Sequence, residues 1–343
     1  MTAGTSGPLD FEPAALEAVL TRALPPGGRA LSIARIGGGQ SNPTYAVDWG
    51  GDRLVLRKQP AGPILRGAHA VDREFRVLEA LHPTGVPVPR PVLFHGEPEL
   101  LGTPFYLMER LEGRVFSDCS LPGLAPAERR AIYLAMADAM AALHAIDPGA
   151  VGLGDFGRPG DYFARQIARW TKQWRQSGHG PIPELDRLID WLEANRPADD
   201  GRVAIAHGDF RIGNLMFHAE EPRVVAILDW ELSTLGHPLA DLGFACMTWR
   251  TTPEEYGGIR GLDLGALGIP SEAEFVARYF ASAAPTAELR PVHVAFALFR
   301  FAVIFVGIAD RARAGSAASA EAGELGHLAG RFAARGLEAA GAA

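Results

Sequence analysis

Lysine is almost absent from this 343-residue chain, occurring only at Lys58 and Lys172, so arginine supplies nearly all of its positive charge. No block of like charge occurs and the formal net charge is −7. That excludes the clustered Lys and Arg that a phosphate backbone demands, so no nucleic-acid partner is expected. Cysteine is equally scarce: Cys119 and Cys246 cannot build a disulfide framework or a thiolate metal site, and they suit core positions in a reducing cytoplasm. Residues 1–10 contain no basic stretch followed by an apolar one, so no signal peptide is expected. The one membrane-like run, Val292 to Ala309, includes His293 and Arg300 and barely reaches spanning length. It predicts a buried C-terminal helix and no membrane partner.

What is present is enough apolar material, 48% of residues, for two packed lobes or two small domains. A short helix-like start (Phe11 to Ala23) precedes strand-like runs at Leu31–Ile36, Thr44–Asp48 and Arg53–Arg57, separated by Gly-rich or polar turns. A helical pattern covers Ala70 to Leu81, and further strands are expected at Val92–His95 and Phe105–Arg110. Leu111-Glu112-Gly113 reads as a hinge. Beyond it, helices are expected at Ala127–Ala145, Asp161–Gln176, Glu184–Asn195, Glu272–Ser282 and Val292–Arg313, with a polar Ala-rich tail from about Ala317. This order predicts an α+β chain: a small antiparallel β-sheet lobe over residues 1–110 and a mainly helical lobe over 111–343, with a nucleotide held between them.

The most informative stretch is His207-Gly208-Asp209-Phe210-Arg211-Ile212-Gly213-Asn214. The catalytic loop of protein kinases spaces its Asp and Asn in this way, the Asp accepting the substrate hydroxyl proton and the Asn holding Mg²⁺. The β-like run Arg223 to Leu228 then delivers Asp229, a carboxylate expected to join Asn214 at the metal. Single Asp and Asn residues also mark turns, but two matched signals coincide here. His207 fits a hydrogen-bonding scaffold and not a proton carrier, since Asp209 already fills the position of the base. Asp241 is read either as a brace of this loop or as a helix N-cap, and His144 as a structural residue.

Gly37-Gly38-Gly39-Gln40-Ser41-Asn42 lies between two strand-like runs, where glycine lets backbone N–H groups approach a phosphate and Ser41 and Asn42 add polar contacts. A glycine-rich hairpin turn has the same composition. Leu54-Val55-Leu56-Arg57-Lys58 matches a strand that supplies a cation to the α- and β-phosphates, with Glu74 in the next helix as its partner. Strand alternation allows only one of Arg57 and Lys58 to face the nucleotide; Val55 shares the face of Arg57 and is placed to pack on adenine. The apolar pattern ends at Arg57, which favours it, while the rarity of lysine keeps Lys58 as the alternative. Arg165, Arg169 and Lys172 form a cationic stripe along one predicted helix, either a solvated face or a seat for an anionic substrate.

Together these residues resemble the aminoglycoside phosphotransferase and choline kinase superfamily, whose protein-kinase-like fold serves small-molecule hydroxyls. The segments Gly38-Gly39-Gln40-Ser41-Asn42-Pro43-Thr44-Tyr45 and Asp229-Trp230-Glu231-Leu232-Ser233-Thr234-Leu235-Gly236-His237-Pro238-Leu239-Ala240-Asp241-Leu242 are most similar to the branch with a kinase-like domain fused to acyl-CoA dehydrogenases. The resemblance implies ATP and Mg²⁺ as cofactors, Asp209 as catalytic base, Asn214 and Asp229 as metal ligands, and Glu74 as the helix acid. It also implies an adenine hinge formed by the backbone of Met108, Glu109, Arg110 and Leu111, with Glu231 as an auxiliary to the metal. A small-molecule hydroxyl substrate follows, with a hydroxyacyl-CoA suggested by the branch and by the cationic stripe. The alternatives are an antibiotic kinase and a nucleotide-binding pseudokinase module.

Overall fold

The computed structural model describes residues 9–24, 30–37, 42–62, 69–158, 160–283, 288–313 and 326–343. The chain divides into two compact units, the first formed by Met1–Val115 with Leu215–Leu232 and the second by Phe116–Asn214 with Ser233–Ala343.

In the first unit, five strands form an antiparallel sheet in the order β1-β2-β3-β5-β4: β1 (Leu31–Arg35), β2 (Thr44–Trp49), β3 (Asp52–Lys58), β4 (Pro91–His95) and β5 (Phe105–Glu109). Period-two alternation decides what each face buries. Tyr45, Val47, Leu54, Leu56, Phe105 and Leu107 point to one face and pack with Leu16 and Leu20 of helix α1 (Pro13–Ala23). Burying each of these large side chains is worth ~1.5–3 kcal/mol. Helix α2 (Val71–Leu81) is amphipathic and buries Val71, Glu74, Phe75, Val77, Leu78 and Leu81. Phe75 stacks on Phe94 of β4 at 5.7 Å between centroids and lies 5.8 Å from Tyr106 of β5. The hairpin Leu215–Phe217/Val224–Ile227 belongs to this unit and is tied to it at Arg114, whose N–H donates to Phe217 O at 2.8 Å. Gly113 is required there: a Cβ on it would stand 2.3 Å from Phe217 O.

The second unit is helical: α3 (Pro126–His144), α4 (Tyr162–Arg175), α5 (Pro183–Ala194), α6 (Pro238–Arg250), α7 (Leu264–Leu267), α8 (Glu272–Ser282), α9 (Pro291–Arg313) and α10 (Leu328–Ala340). Proline opens α3, α5 and α6, where its missing N–H costs no hydrogen bond. Asp161 caps α4 through Ala164 N at 3.2 Å, and Ser271 with Glu274 makes a reciprocal capping box on α8. Helix α9 contains the membrane-like run; it is long and apolar enough to cross a membrane, yet most of that run is buried inside the protein. Part of the expected Ala-rich tail lies outside the described residues; α10 follows it.

Helix α6 is absent from the sequence expectations. Eleven of its residues are buried, leaving no polar face to create a helical period. The two-stranded pair Ala204–Ala206/Thr234–Gly236 is too short to be read from alternation. Asp241 falls in the first turn of α6, and His237 is the N-cap.

Candidate active site

Arg57 and Lys58 end β3 on opposite faces, and the structure separates their roles. Arg57 Nε lies 2.8 Å from Glu74 Oε2 of α2, and Arg57 Nη2 lies 2.9 Å from Asp229 Oδ1. Lys58 turns to the α1 side of the sheet, where Nζ donates to Leu101 O at 2.9 Å and pairs with Asp10 at 3.1 Å, 5.2 Å from the centre of the Phe11 ring. At 1% exposure it is a buried pin of the core.

Glu74 is also only 1% exposed. Besides Arg57 it receives Asn42 Nδ2 at 2.7 Å and the Tyr106 hydroxyl at 2.9 Å, so three donors meet its carboxylate. Burial raises the pKa of Glu74, opposed by Arg57 and these donors. Burial works against the charge of Arg57 too, but Glu74, Tyr106, Asp229 and Glu231 outweigh it and raise the pKa of the guanidinium. Arg57 is therefore a fixed cation held among acids. Val55, which shares its face, is buried against Ala46 and Met108 on the neighbouring strands.

Asn42 is thus a partner of Glu74, and its Oδ1 also accepts from His69 Nδ1 at 3.1 Å. Gly38, Gly39, Gln40 and Ser41 lie outside the described residues. Met108 and Glu109 close β5 in register with Val55 and Leu54, Arg110 N donates to Arg53 O at 2.9 Å, and Leu111 follows half-buried. Asp229 adopts a left-handed backbone with φ 63°, a conformation that costs a non-glycine residue ~1–3 kcal/mol and concentrates at functional sites. Glu231 follows in a short 3₁₀ turn.

In the second unit, the loop after Ala204–Ala206 is clamped from several sides. Asp241, 1% exposed, accepts from His207 N at 2.6 Å and Gly208 N at 2.9 Å, and its Oδ2 also meets His144 Nε2 at 3.2 Å. His144 is fixed in turn by the Tyr279 hydroxyl at 2.8 Å. From α9, Arg300 donates to Gly208 O, and its guanidinium lies 5.7 Å from the Trp170 ring. His207, fully buried, accepts from Asp209 N through Nδ1 at 3.2 Å. Asn214 Nδ2 donates to both Asp209 O, at 2.8 Å, and Asp209 Oδ2, at 2.7 Å. Burial raises the pKa of Asp209, while Arg211, His207 and Asn214 oppose the rise and favour the carboxylate.

Each of the two residues expected from the sequence to hold a metal keeps one oxygen outside the contacts above. With Asn214 Nδ2 committed to Asp209, its Oδ1 is the atom left to coordinate; with Asp229 Oδ1 on Arg57, Oδ2 is left. Neutral amide and carboxylate oxygens suit a hard cation such as Mg²⁺. Among the described residues, no group of three or more His, Cys, Asp or Glu forms a metal cluster.

The cationic stripe of α4 does not stay together. Arg169 and Lys172 line an open groove with Gln173, Gln176 and Gly307 of α9, whereas Arg165 turns away to donate to Arg158 O at 2.7 Å. Arg211, Arg300 and Tyr106 escaped the sequence reading. Arg300 carried a signal, as the one charge amid the apolar residues from Val294 to Ala309, since a buried cation requires a partner.

The profile of the phosphotransferase enzyme family matches residues 32–292. Acyl-CoA dehydrogenase family member 11 of Gallus gallus is 40% identical over 338 residues, covering 96% of this chain but 43% of that protein. The chain thus spans less than half the length of the curated relatives it matches. A crystal structure from Ralstonia eutropha JMP134, provisionally described as an aminoglycoside phosphotransferase, is 44% identical, with a TM-score of 0.87 and coverage of 96% of this chain and 98% of that one. Choline kinase from Cryptosporidium parvum shares the fold at 13% identity, with a TM-score of 0.66 and coverage of 96% and 95%. By its matched length and these relatives, the chain belongs to the phosphotransferase enzyme family and has its α+β, protein-kinase-like fold.

Proposed function

We propose that this protein transfers the γ-phosphoryl group of ATP to a hydroxyl of a small molecule, and that the acceptor is a hydroxyacyl-CoA. The observation that carries the phosphotransfer reading is the double ion pair of Arg57 with Glu74 and Asp229. It fixes a cation at the end of the strand where a nucleotide's phosphates need one, and it ties that cation to the helix acid and to the acid proposed for the metal.

In this reading Arg57 neutralises phosphate charge, and Asn42 keeps Glu74 oriented toward it. Val55 and the backbone of Met108 to Leu111 receive the adenine. Asn214 and Asp229 hold Mg²⁺, which when bound offsets the negative charge of the phosphates. Asp209 accepts a hydrogen bond from the acceptor hydroxyl and takes its proton as the oxygen attacks. Its carboxylate is already aimed by Asn214, so little reorganisation is needed at the moment of reaction. Two things support the acyl-CoA assignment: the names of the relatives, and the groove lined by Arg169 and Lys172, whose charges fit a CoA phosphate while the groove's one acid, Asp310, is paired with Arg313.

The test is Mg²⁺-dependent ADP release from ATP against a panel of hydroxyacyl-CoAs, aminoglycosides, choline and sugars. Stimulation by hydroxyacyl-CoAs alone is expected. Stimulation by aminoglycosides alone would replace the acceptor but keep the kinase, and none by any of them would count against both.

A further inference from the structure

Arg211 stands two residues after Asp209, and neither the loop clamp nor the proposed metal set uses its side chain. Its guanidinium carbon lies 5.1 Å from the centre of the Tyr256 ring, and its Nε is buried with no hydrogen-bond partner among the described residues. An N–H left in that state is disfavoured unless something else accepts from it.

The surface beneath this cation is built. Tyr256 has a left-handed backbone, φ 71°, and remains 46% exposed while its ring edge packs on Phe301 at 5.3 Å and Phe305 at 5.1 Å. The loop that presents it is locked from behind. Glu255, 3% exposed, receives Arg335 Nε at 2.9 Å and Nη2 at 3.0 Å from α10, together with Thr252 N at 3.1 Å. A side chain at Gly258 would collide with Thr251 O, 2.0 Å from the position of its Cβ. A strained, half-exposed tyrosine held by a buried ion pair is a costly arrangement for a surface loop.

The cleft over this platform is lined by Cys119, Phe244, Met247, Tyr256 and Phe301, all from the second unit, with Arg211, whose charge also favours the Asp209 carboxylate, as its cation. Glu255 also borders it, but its carboxylate is spent on Arg335. A largely apolar slot whose one buried N–H without a partner among the described residues is Arg211 Nε fits a molecule with a short hydrocarbon portion and one oxygen acceptor, and the arginine repels a cation.

Resting on the reading of Asp209 as the base, we propose that Arg211, clamped on Tyr256, is the specificity-determining residue of the acceptor site: its Nε–H donates to a carbonyl or carboxylate oxygen of the acceptor, and its charge bars cationic alcohols. The test reads that atom directly. In the full chain labelled with ¹⁵N-arginine, the Arg211 Nε–H resonance is assigned by its loss in Arg211→Lys and titrated with pentanoate, choline and Mg²⁺ with a non-hydrolysable ATP analogue. A saturable shift with pentanoate and none with choline is expected, retained in Tyr256→Phe and at least several-fold weaker in Tyr256→Leu. No response to pentanoate, an equal response to choline, or a response to nucleotide alone would overturn the proposal, and a missing Nε–H signal would overturn its premise. No turnover is involved, so a failure of the kinase reading would show in ADP release while leaving this titration unchanged.

Discussion

Arg57 bridges two acids far apart in sequence, with Nε 2.8 Å from Glu74 Oε2 and Nη2 2.9 Å from Asp229 Oδ1. Removing Glu74 would leave the buried guanidinium with only one of its two acids and deprive Asn42 Nδ2 and the Tyr106 hydroxyl of their acceptor. Glu74→Ala is expected to destabilise the protein by ~3–5 kcal/mol in equilibrium denaturation and to weaken nucleotide binding in calorimetry. A loss below about 1 kcal/mol, the range of an exposed pair, would contradict the role given to this ion pair.

Asp241 and Arg300 hold the loop proposed to carry the base from both sides of Gly208, one accepting from its N–H and the other donating to its carbonyl. Neither is proposed to touch substrate. Asp241→Asn and Arg300→Met should each lower kcat by roughly 100-fold through misplacement of Asp209, while the KM for ATP changes little. A rise in that KM with unchanged kcat would show that these residues serve the nucleotide instead.

Acid should destabilise the second unit through His293. Burial is the main cause that depresses its pKa to about 3, with His237 stacked beside it and Arg290 nearby; its Nδ1 accepts from Arg290 N at 2.9 Å. Because the folded value lies below the unfolded one of about 6.5, this contribution is fully present above pH 6.5 and is lost as pH falls toward 3. The slope approaches ~1.4 kcal/mol per pH unit. His293→Gln should flatten the decline in stability between pH 6.5 and pH 4.5, and an unchanged slope would assign the acid sensitivity to other groups.

Gly113 admits no side chain, since a Cβ would lie 2.3 Å from Phe217 O and 2.6 Å from Met216 Cγ. Gly113→Ala is expected to cost ~1–3 kcal/mol by pushing the Leu215–Ile227 hairpin off Arg114. Thermal melting of the variant at wild-type temperature would show that the strands separate freely there.

The arrangement of elements was largely legible because it is written in local periodicity. The expected β2, β3, α2, α4 and α9 fall within one or two residues of the observed ones. Helix α6 was not, because a helix apolar on every side carries no period. The spacing of Asp209, Asn214 and Asp229 could be read from the chain, and so could the opposite facing of Arg57 and Lys58. The end of the apolar pattern favoured Arg57 as the partner of Glu74 without deciding it: the choice depends on how α1 and α2 cover the sheet, and only the packing shows that Asp10 and Leu101 claim Lys58. The partners Arg300 with Gly208 and Arg211 with Tyr256 are separated by long stretches of chain, and no local pattern links them.

The most direct test of the kinase reading is a single-turnover assay of phosphoryl transfer from γ-labelled ATP to a hydroxyacyl-CoA, comparing the wild type with Asp209→Ala at saturating Mg²⁺. Expected is transfer by the wild type and a loss of at least ~100-fold in the variant, the lower range for a general base, with ATP binding retained. Transfer at the wild-type rate by Asp209→Ala would contradict the assignment of the base, and with it the chemistry proposed for this loop.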